Sequence, residues 1–197
     1  GRIGPAAVPE LIKMLGSASS AARAASARAL SWVKPPPPAA VEPLIGALGD
    51  SEDSVRRNAS EALGGYGEAA AAGLAKALGS AEAPIRRGSA RALSLMGSGA
   101  EPAVPALVKA LEDGDAPVRG SAVSALSKLG LPAERLVPML MARLEDPEAS
   151  VRSSAVQALS RQRPGDVARE LAALLDGGEE ETIQAVALVA ERLGSRA

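Results

Sequence analysis

One pattern occurs four times in this chain, as VRRNASEAL (55–63), IRRGSARAL (85–93), VRGSAVSAL (118–126) and VRSSAVQAL (151–159). Each copy contains a β-branched residue, an arginine, several small residues and a closing Ala-Leu pair. The arginines Arg56, Arg86, Arg119 and Arg152 are 30, 33 and 33 residues apart. Weaker copies stand at 22–30 and 183–190, so the sequence indicates an array of about six repeated units.

A second pattern, Val-Pro-x-Leu-x-x-x-Leu, opens most units. It occurs at 8–15, 104–111 and 137–144, with a near copy at 41–48 and a degenerate one at Leu74 and Leu78. Apolar residues three and four apart form one stripe of a helix. A proline is tolerated only in the first helical turn, so these helices are predicted to begin just before it. Each unit is therefore predicted to be a helix, a short turn and a second helix.

The pairs of helices define the expected architecture. No useful stretch alternates apolar and polar residues, so the fold class is predicted to be all-α. One helical pair cannot bury its apolar stripe alone, whereas stacked pairs share a continuous core and form a curved α-solenoid. We expect a single domain over 1–197, with repeats at roughly 1–34, 35–65, 66–98, 99–130, 131–163 and 164–197.

The paired patterns resemble HEAT repeats, in particular the short repeats of the phycobilisome lyase HEAT-like type, over nearly the whole chain. This resemblance implies a right-handed superhelix. It does not define a function, because the family includes scaffolds, lyases, hydroxylases and DNA glycosylases.

The composition excludes several kinds of chemistry. The 197 residues include no Cys and no His, so a disulfide, a thiolate or imidazole metal site and a Ser-His or Cys-His nucleophile are all excluded. We therefore expect no catalytic residues, no cofactor and no metal. The formal net charge is -1, and no apolar run approaches the roughly 20 residues that a membrane-spanning helix needs. The absence of cysteine is consistent with a reducing compartment, so we expect a cytoplasmic location.

An acidic residue recurs six positions before three of the repeated arginines. The pairs are Asp50 and Arg56, Asp113 and Arg119, and Asp146 and Arg152. The HEAT resemblance implies that such residues form a ladder of hydrogen bonds between neighbouring units, since a planar guanidinium can bridge a carboxylate and turn carbonyls. The alternative is an arginine row that binds phosphates.

The same resemblance implies that the second helices line the concave side. On a helical wheel, the positions that point away from the buried stripe predict a binding face, basic toward the N-terminus and neutral toward the C-terminus. It comprises Arg28, Arg57, Arg87, Arg91, Val123, Ser124, Val156 and Gln157. We expect an acidic or phosphorylated protein segment to dock there, chiefly on Arg57, Arg87 and Arg91. The alternative is a merely solvated charged face.

We expect the two aromatic residues, Trp32 and Tyr66, to have structural roles. Trp32 is expected to pack over the prolines 35–38, and Tyr66 is expected to face the core with one polar partner for its hydroxyl. At the N-terminus, residues 1–4 resemble the closing turn of a second helix, so we expect an excised part of a longer protein with further repeats or domains. The last unit has Gln184 and Glu191 where Arg and Leu recur, and resembles a polar cap.

The leading hypothesis is a noncatalytic scaffold for protein-protein interaction. The alternatives are a nucleic-acid-binding protein resembling HEAT-like DNA glycosylases and a subunit of a bilin-lyase-like enzyme. Nucleic acid is not the expected partner, because the chain has few aromatics and no overall positive charge.

Overall fold

The computed structural model describes residues 4–163, 165–169 and 172. Between residues 4 and 163 the chain forms ten α-helices and no strand, and residues 165–169 are also helical. The helices are α1 (Val8–Met14), α2 (Ser20–Ser31), α3 (Val41–Ala47), α4 (Asp53–Tyr66), α5 (Glu68–Ala77), α6 (Ala83–Met96), α7 (Val104–Ala110), α8 (Ala116–Leu126), α9 (Ala133–Ala142) and α10 (Ala149–Leu159). Short 3₁₀ segments span Pro5–Ala7, Pro38–Ala40, Gly97–Ala103 and Arg143–Glu145.

The helices form five consecutive pairs, each joined by a short turn. The even-numbered, second helices pack against one another in chain order as one layer, and the first helices form a second, more loosely packed layer. Closer packing on one side bends a stack of pairs toward that side, so the second helices line the concave face. The all-α solenoid predicted from the repeats is confirmed.

The core lies between the two layers. The closing leucine of every described second-helix pattern is fully buried: Leu30, Leu63, Leu93, Leu126 and Leu159. The small residues of the pattern allow neighbouring helices to approach closely, both between two second helices and between a second helix and the first helix of the preceding unit. A Cβ built on Gly88 would lie 2.7 Å from Leu48 Cδ2, and one built on Gly64 would lie 2.8 Å from Leu95 Cβ. These glycines are therefore sites where side chains of neighbouring helices interlock.

Proline positions follow the prediction in α1 and α7, where Pro9 and Pro105 occupy the first turn. The prediction is wrong for α9, which begins at Ala133 and contains Pro138 in its interior. In the other pairs a 3₁₀ segment precedes the Val-Pro dipeptide. In α9 the residues in the corresponding place are α-helical, so the helix starts one turn earlier and the proline falls inside it.

The step from Arg56 to Arg86 is three residues shorter than the two steps that follow it, and within this step α4 passes into α5 through a single residue, Gly67. Gly67 has φ +58, a left-handed conformation that L side chains rarely adopt. The predicted sixth repeat, including Gln184 and Glu191, lies almost entirely outside the described residues, as does the start of the N-terminal segment 1–4.

Candidate functional site

The turns between paired helices carry the most regular polar structure in the molecule. In each turn a side-chain oxygen accepts a hydrogen bond from the backbone N–H two residues later. Asp50, Asp113 and Asp146 Oδ1 accept at 2.9 Å, and Ser80 Oγ accepts at 3.1 Å from Glu82. The carboxylate thus fixes the start of the second helix in its own unit.

The ladder arginines also fix these turns. Arg119 Nη1 donates to the carbonyl oxygen of Asp113 at 2.8 Å, and Arg56 and Arg152 donate to the carbonyls of Asp50 and Asp146. Residues six positions apart are therefore joined by a hydrogen bond from the arginine side chain to the backbone carbonyl of the aspartate, and not by one to its carboxylate.

Each of these carboxylates instead binds the arginine of the preceding unit, 27 residues earlier. The Nε and Nη2 atoms reach the two carboxylate oxygens at 2.6 and 2.8 Å for Arg23 and Asp50. The distances are 2.8 and 3.1 Å for Arg86 and Asp113, and 2.7 Å twice for Arg119 and Asp146. Arg23 and Arg86 are ladder residues that the sequence analysis missed, although they occupy the repeat position of Arg56 and Arg119.

The ladder is interrupted between the second and third units, where Ser80 takes the place of the aspartate. Arg56 has the expected bonds to its own turn, and its remaining ion pair is a 3.4 Å contact with Asp53 on its own helix. Ser80 keeps the local turn bond but offers no carboxylate. This boundary between repeats is held by apolar packing and by the exposed pair Arg91 and Glu61.

The pKa of each paired carboxyl is lowered, which favours its charged form. Hydrogen bonds from Arg23 and Arg119 hold the pKa of Asp50 and Asp146 below the usual value, against the opposing effect of burial. At Asp113 burial raises the pKa. Hydrogen bonds donated by the Arg86 side chain and the Asp115 backbone N–H, together with the positive charges of Arg86 and Arg119, outweigh burial, so the net pKa is lowered. These residues are engaged inside the protein, which argues against the alternative of a phosphate-binding row.

A groove of about 630 Å³ opens between α4 and α6 on the concave side. It is lined by Asp53, Arg56, Arg57, Ser60, Pro84, Arg87, Gly88 and Arg91. The structure therefore brings Arg57, Arg87 and Arg91 together. Each guanidinium has an internal carboxylate partner: Arg57 pairs with Asp53, Arg87 with Asp115, and Arg91 with Glu61 at 3.5 Å.

These three pairs differ in how firmly they are held. Arg57 and Arg91 and their partners are all at least half-exposed, and such surface pairs contribute little to stability because water screens the charges. Asp115 is almost buried, and its hydrogen bond raises the pKa of Arg87. A partner carboxylate or phosphate can therefore displace the partners of Arg57 and Arg91 more readily than Asp115.

The prediction of the C-terminal half of the binding face is partly wrong. Val123 has 0% exposure, and Ser124 and Val156 are half-buried, while Gln157 is exposed. The reason is that every internal second helix is covered on three sides, by its own first helix and by the second helices before and after it. Only a narrow stripe of each second helix remains open, and Val123 lies beside it, against the neighbouring helices.

The two aromatic residues have different outcomes. Tyr66 is buried and donates from its hydroxyl to the carbonyl of Leu30 at 3.2 Å, as predicted, and burial raises its pKa to about 12. Trp32 is 59% exposed, so it is not buried, and its packing over the prolines stays a prediction. The Arg28 guanidinium lies 5.6 Å from the centroid of its ring, which is a cation–π contact.

Within the described residues, no helix is both long enough and apolar enough to cross a membrane. The same part of the chain holds no group of three or more acidic side chains placed to bind a metal ion.

The sequence matches the HEAT repeats family over residues 1–64, 43–127, 71–160 and 104–192, and the chain belongs to that family. Among solved structures it is similar to the complex of CpcE and CpcF of phycocyanin lyase from Nostoc sp. PCC7120. The identity is 26%, the match covers 91% of this chain and 74% of that one, and the TM-score is 0.59.

Two designed or engineered proteins are similar in fold. One is an engineered protein at 24% identity, with 94% of each chain covered and a TM-score of 0.56. Another is a designed armadillo repeat protein in complex with the peptide (KR)4, at 19% identity, with 94% of this chain and 99% of that chain covered and a TM-score of 0.53. No match is found among the curated proteins.

Proposed function

We propose that this chain is a noncatalytic scaffold that binds a segment of a partner protein on its concave face. The observation that carries the proposal is the groove between α4 and α6, in which Arg56, Arg57, Arg87 and Arg91 face a single lining carboxylate, Asp53. The likeness to a designed armadillo repeat protein that was solved with a peptide supports a protein segment as the ligand.

Charge complementarity indicates an acidic or phosphorylated segment. Arg57 and Arg91 are the main candidates for its contacts, because their present partners are exposed and weakly held. Arg87 is positioned by Asp115 and supplies a fixed positive charge beside them. Arg56 is occupied by the carbonyls of its own turn and contributes mainly to the electrostatic potential.

A selection experiment tests this function. A random peptide library displayed on phage is selected on the full chain, and the affinities of the enriched peptides are measured against the triple variant Arg57→Glu, Arg87→Glu, Arg91→Glu. We expect enriched peptides to be acidic and to lose at least tenfold in affinity, with a steep salt dependence. Melting curves of the variant establish that it remains folded.

The matched control is Lys13→Glu, Lys76→Glu, Lys109→Glu, which makes the same change in net charge on exposed lysines of the first helices. Unchanged affinity in the groove variant, or equal losses in both variants, would contradict docking on the concave face.

A second candidate rests on the likeness to the phycocyanin lyase complex: this chain is one subunit of a bilin-lyase-like enzyme. Its test is the visible absorption spectrum of a free bilin titrated with the protein. A red shift with saturable binding supports this candidate, and an unchanged spectrum removes it.

A further inference from the structure

Two second helices each end with an exposed arginine and, one turn later, an exposed apolar residue. Arg28 of α2 is followed by Trp32, which caps that helix, and Arg91 of α6 is followed by Leu95. We call these pairs the two clamps. On α4, which lies between them, the equivalent positions are Glu61 and Gly65. A cation beside an apolar side chain thus occurs on either side of a helix that has neither.

The apolar members of the clamps are unusual for this molecule. Among the described residues, the exposed large hydrophobic side chains are Trp32, at 59%, and Leu95, at 50%. Each follows the ladder arginine of its unit by nine residues, so the repeat places both at one level of the concave face. Exposed apolar surface at matched repeat positions favours a binding role over scattered surface variation.

Both side chains are held in place before any partner arrives. The Arg28 guanidinium lies over the Trp32 ring. Leu95 rests on Gly64, where a Cβ would approach its own Cβ to 2.8 Å. Little conformational entropy is therefore lost when a ligand covers them.

The helix between the clamps leaves an open notch. A Cβ built on Gly65 would meet nothing within 4 Å, so a peptide backbone can approach α4 directly at this point. The notch has Trp32 on one side and Leu95 on the other.

The charges of the clamps select the sign of the partner. In the part of the chain that the structure describes, no carboxylate pairs with Arg28, which contacts the Trp32 ring instead. Arg91 has only the half-exposed Glu61 at 3.5 Å. A carboxylate of a partner can therefore bind each arginine while a neighbouring apolar side chain covers the tryptophan or the leucine.

The spacing of the clamps sets the spacing of the ligand. Adjacent packed helices lie about 8–10 Å apart, so α2 and α6 are roughly 16–20 Å apart. An extended chain advances about 3.3 Å per residue and alternates its side chains between two faces. Two apolar side chains that point to the same face and reach both clamps are therefore about six residues apart.

We propose that the two clamps bind an extended segment of a partner protein with two apolar residues six positions apart, each next to an acidic residue. This inference rests on the proposed function and names the chemistry of the partner. It adds Trp32 and Leu95, which the groove between α4 and α6 does not include.

The test uses two synthetic decapeptides of equal composition. The first, Gly-Asp-Leu-Gly-Ser-Ser-Gly-Asp-Leu-Gly, has its leucines six apart, and the second, Gly-Asp-Leu-Gly-Asp-Leu-Gly-Ser-Ser-Gly, has them three apart. Both are capped at the termini, labelled and titrated with the full chain by fluorescence anisotropy. We expect the first peptide to bind about tenfold more tightly, because only it covers both clamps.

Single variants identify the contacts. Trp32→Ala and Leu95→Ala are each expected to lower the affinity for the first peptide about tenfold. The second peptide can cover only one clamp, so at least one of the two variants is expected to change its affinity by no more than about threefold. Trp32 is 59% exposed, so Trp32→Ala is expected to keep the melting temperature. Leu95 packs on Gly64, so a melting curve of Leu95→Ala establishes that this variant remains folded before its affinity is compared. Arg161→Ala is the control, since this exposed residue holds the same repeat position at the end of α10, far from the notch.

The outcomes separate the clamps from the proposed function. Equal affinity for the two peptides, no measurable binding of either, or no effect of Trp32→Ala and Leu95→Ala overturns the clamps. If peptides selected from the phage library still lose binding in the groove variant but bind the double variant Trp32→Ala, Leu95→Ala normally, the scaffold function stands and the clamps are excluded.

Discussion

Arg119 holds Asp146 of the next helical pair through two hydrogen bonds of 2.7 Å, from Nε and Nη2 to the two carboxylate oxygens. The side chains are only 10% and 2% exposed. Both ends of this pair are also tied to turns, since Arg119 binds the carbonyl of Asp113 and Asp146 accepts from the backbone of Glu148. The pair thus joins two turns as well as two charges.

Removing one partner of this buried pair is predicted to be costly. Asp146→Ala leaves the Arg119 guanidinium buried without its carboxylate, so we expect the free energy of unfolding to fall by about 3–5 kcal/mol. Urea denaturation followed by circular dichroism measures the change. As a control, Asp53→Ala removes the exposed partner of Arg57, and its effect on the free energy of unfolding is expected to be small because water screens the pair. Similar effects of the two substitutions would contradict the structural importance of the ladder.

Completing the ladder at its interruption is predicted to stabilise the protein. Ser80→Asp supplies a carboxylate for Arg56 and keeps the hydrogen bond to the Glu82 backbone. We expect a gain of about 1 kcal/mol in urea denaturation. The gain must depend on Arg56, so it disappears in the Arg56→Gln background. A gain that persists there would come from helix capping alone.

Stability is predicted to fall in acid because of the ladder carboxyls. The pKa of Asp50 and of Asp146 is lowered in the folded state by hydrogen bonds from Arg23 and Arg119, whereas an unfolded aspartate titrates near about 3.9. The carboxyls therefore contribute stability above about pH 4 and lose it as the pH falls toward their folded pKa. Melting temperatures measured from pH 6 to pH 2.5 report this loss. The variant Asp50→Asn, Asp146→Asn is expected to melt lower at pH 6 and to have a flatter profile.

Two glycines in helices are predicted to respond in opposite ways to alanine. Gly88→Ala places a Cβ against the buried Leu48 and is expected to destabilise the protein by about 1–3 kcal/mol. Gly46→Ala meets nothing within 4 Å on the exposed side of α3, so it is expected to stabilise by about 0.5–1 kcal/mol. Thermal or urea unfolding of both variants decides the point. A neutral Gly88→Ala would show that the α3–α6 contact is looser than described.

The repeat length made the fold predictable, but it hid the partners of the ladder. Arg119 stands six residues after Asp113 and 27 residues before Asp146, and these two separations together make one 33-residue repeat. In a periodic sequence every arginine therefore has two equivalent candidate aspartates. Only the placement of one turn beside the next shows that the backbone of the first and the carboxylate of the second are bound.

The binding face was less predictable because a helical wheel describes an isolated helix. It places Val123 on the open side, yet α8 is covered by neighbours along both flanks and Val123 is fully buried. The wheel also says nothing about partners from other units, so the pairing of Arg87 with Asp115, 28 residues ahead, could not be read from it. Trp32 likewise has a cation–π contact with Arg28 on the preceding helical turn, which the neighbouring prolines do not indicate.

The missing carboxylate at Ser80 also has a mechanical meaning. A solenoid pulled from its two ends transmits the load through each boundary between units in series. The described boundaries crossed by Arg23, Arg86 and Arg119 carry a two-point ionic tie, whereas the boundary at Ser80 resists with side-chain interlocking alone and one exposed ion pair. Of these four boundaries, the one beside the groove of arginines is therefore the one that can open without first breaking a two-point ionic tie.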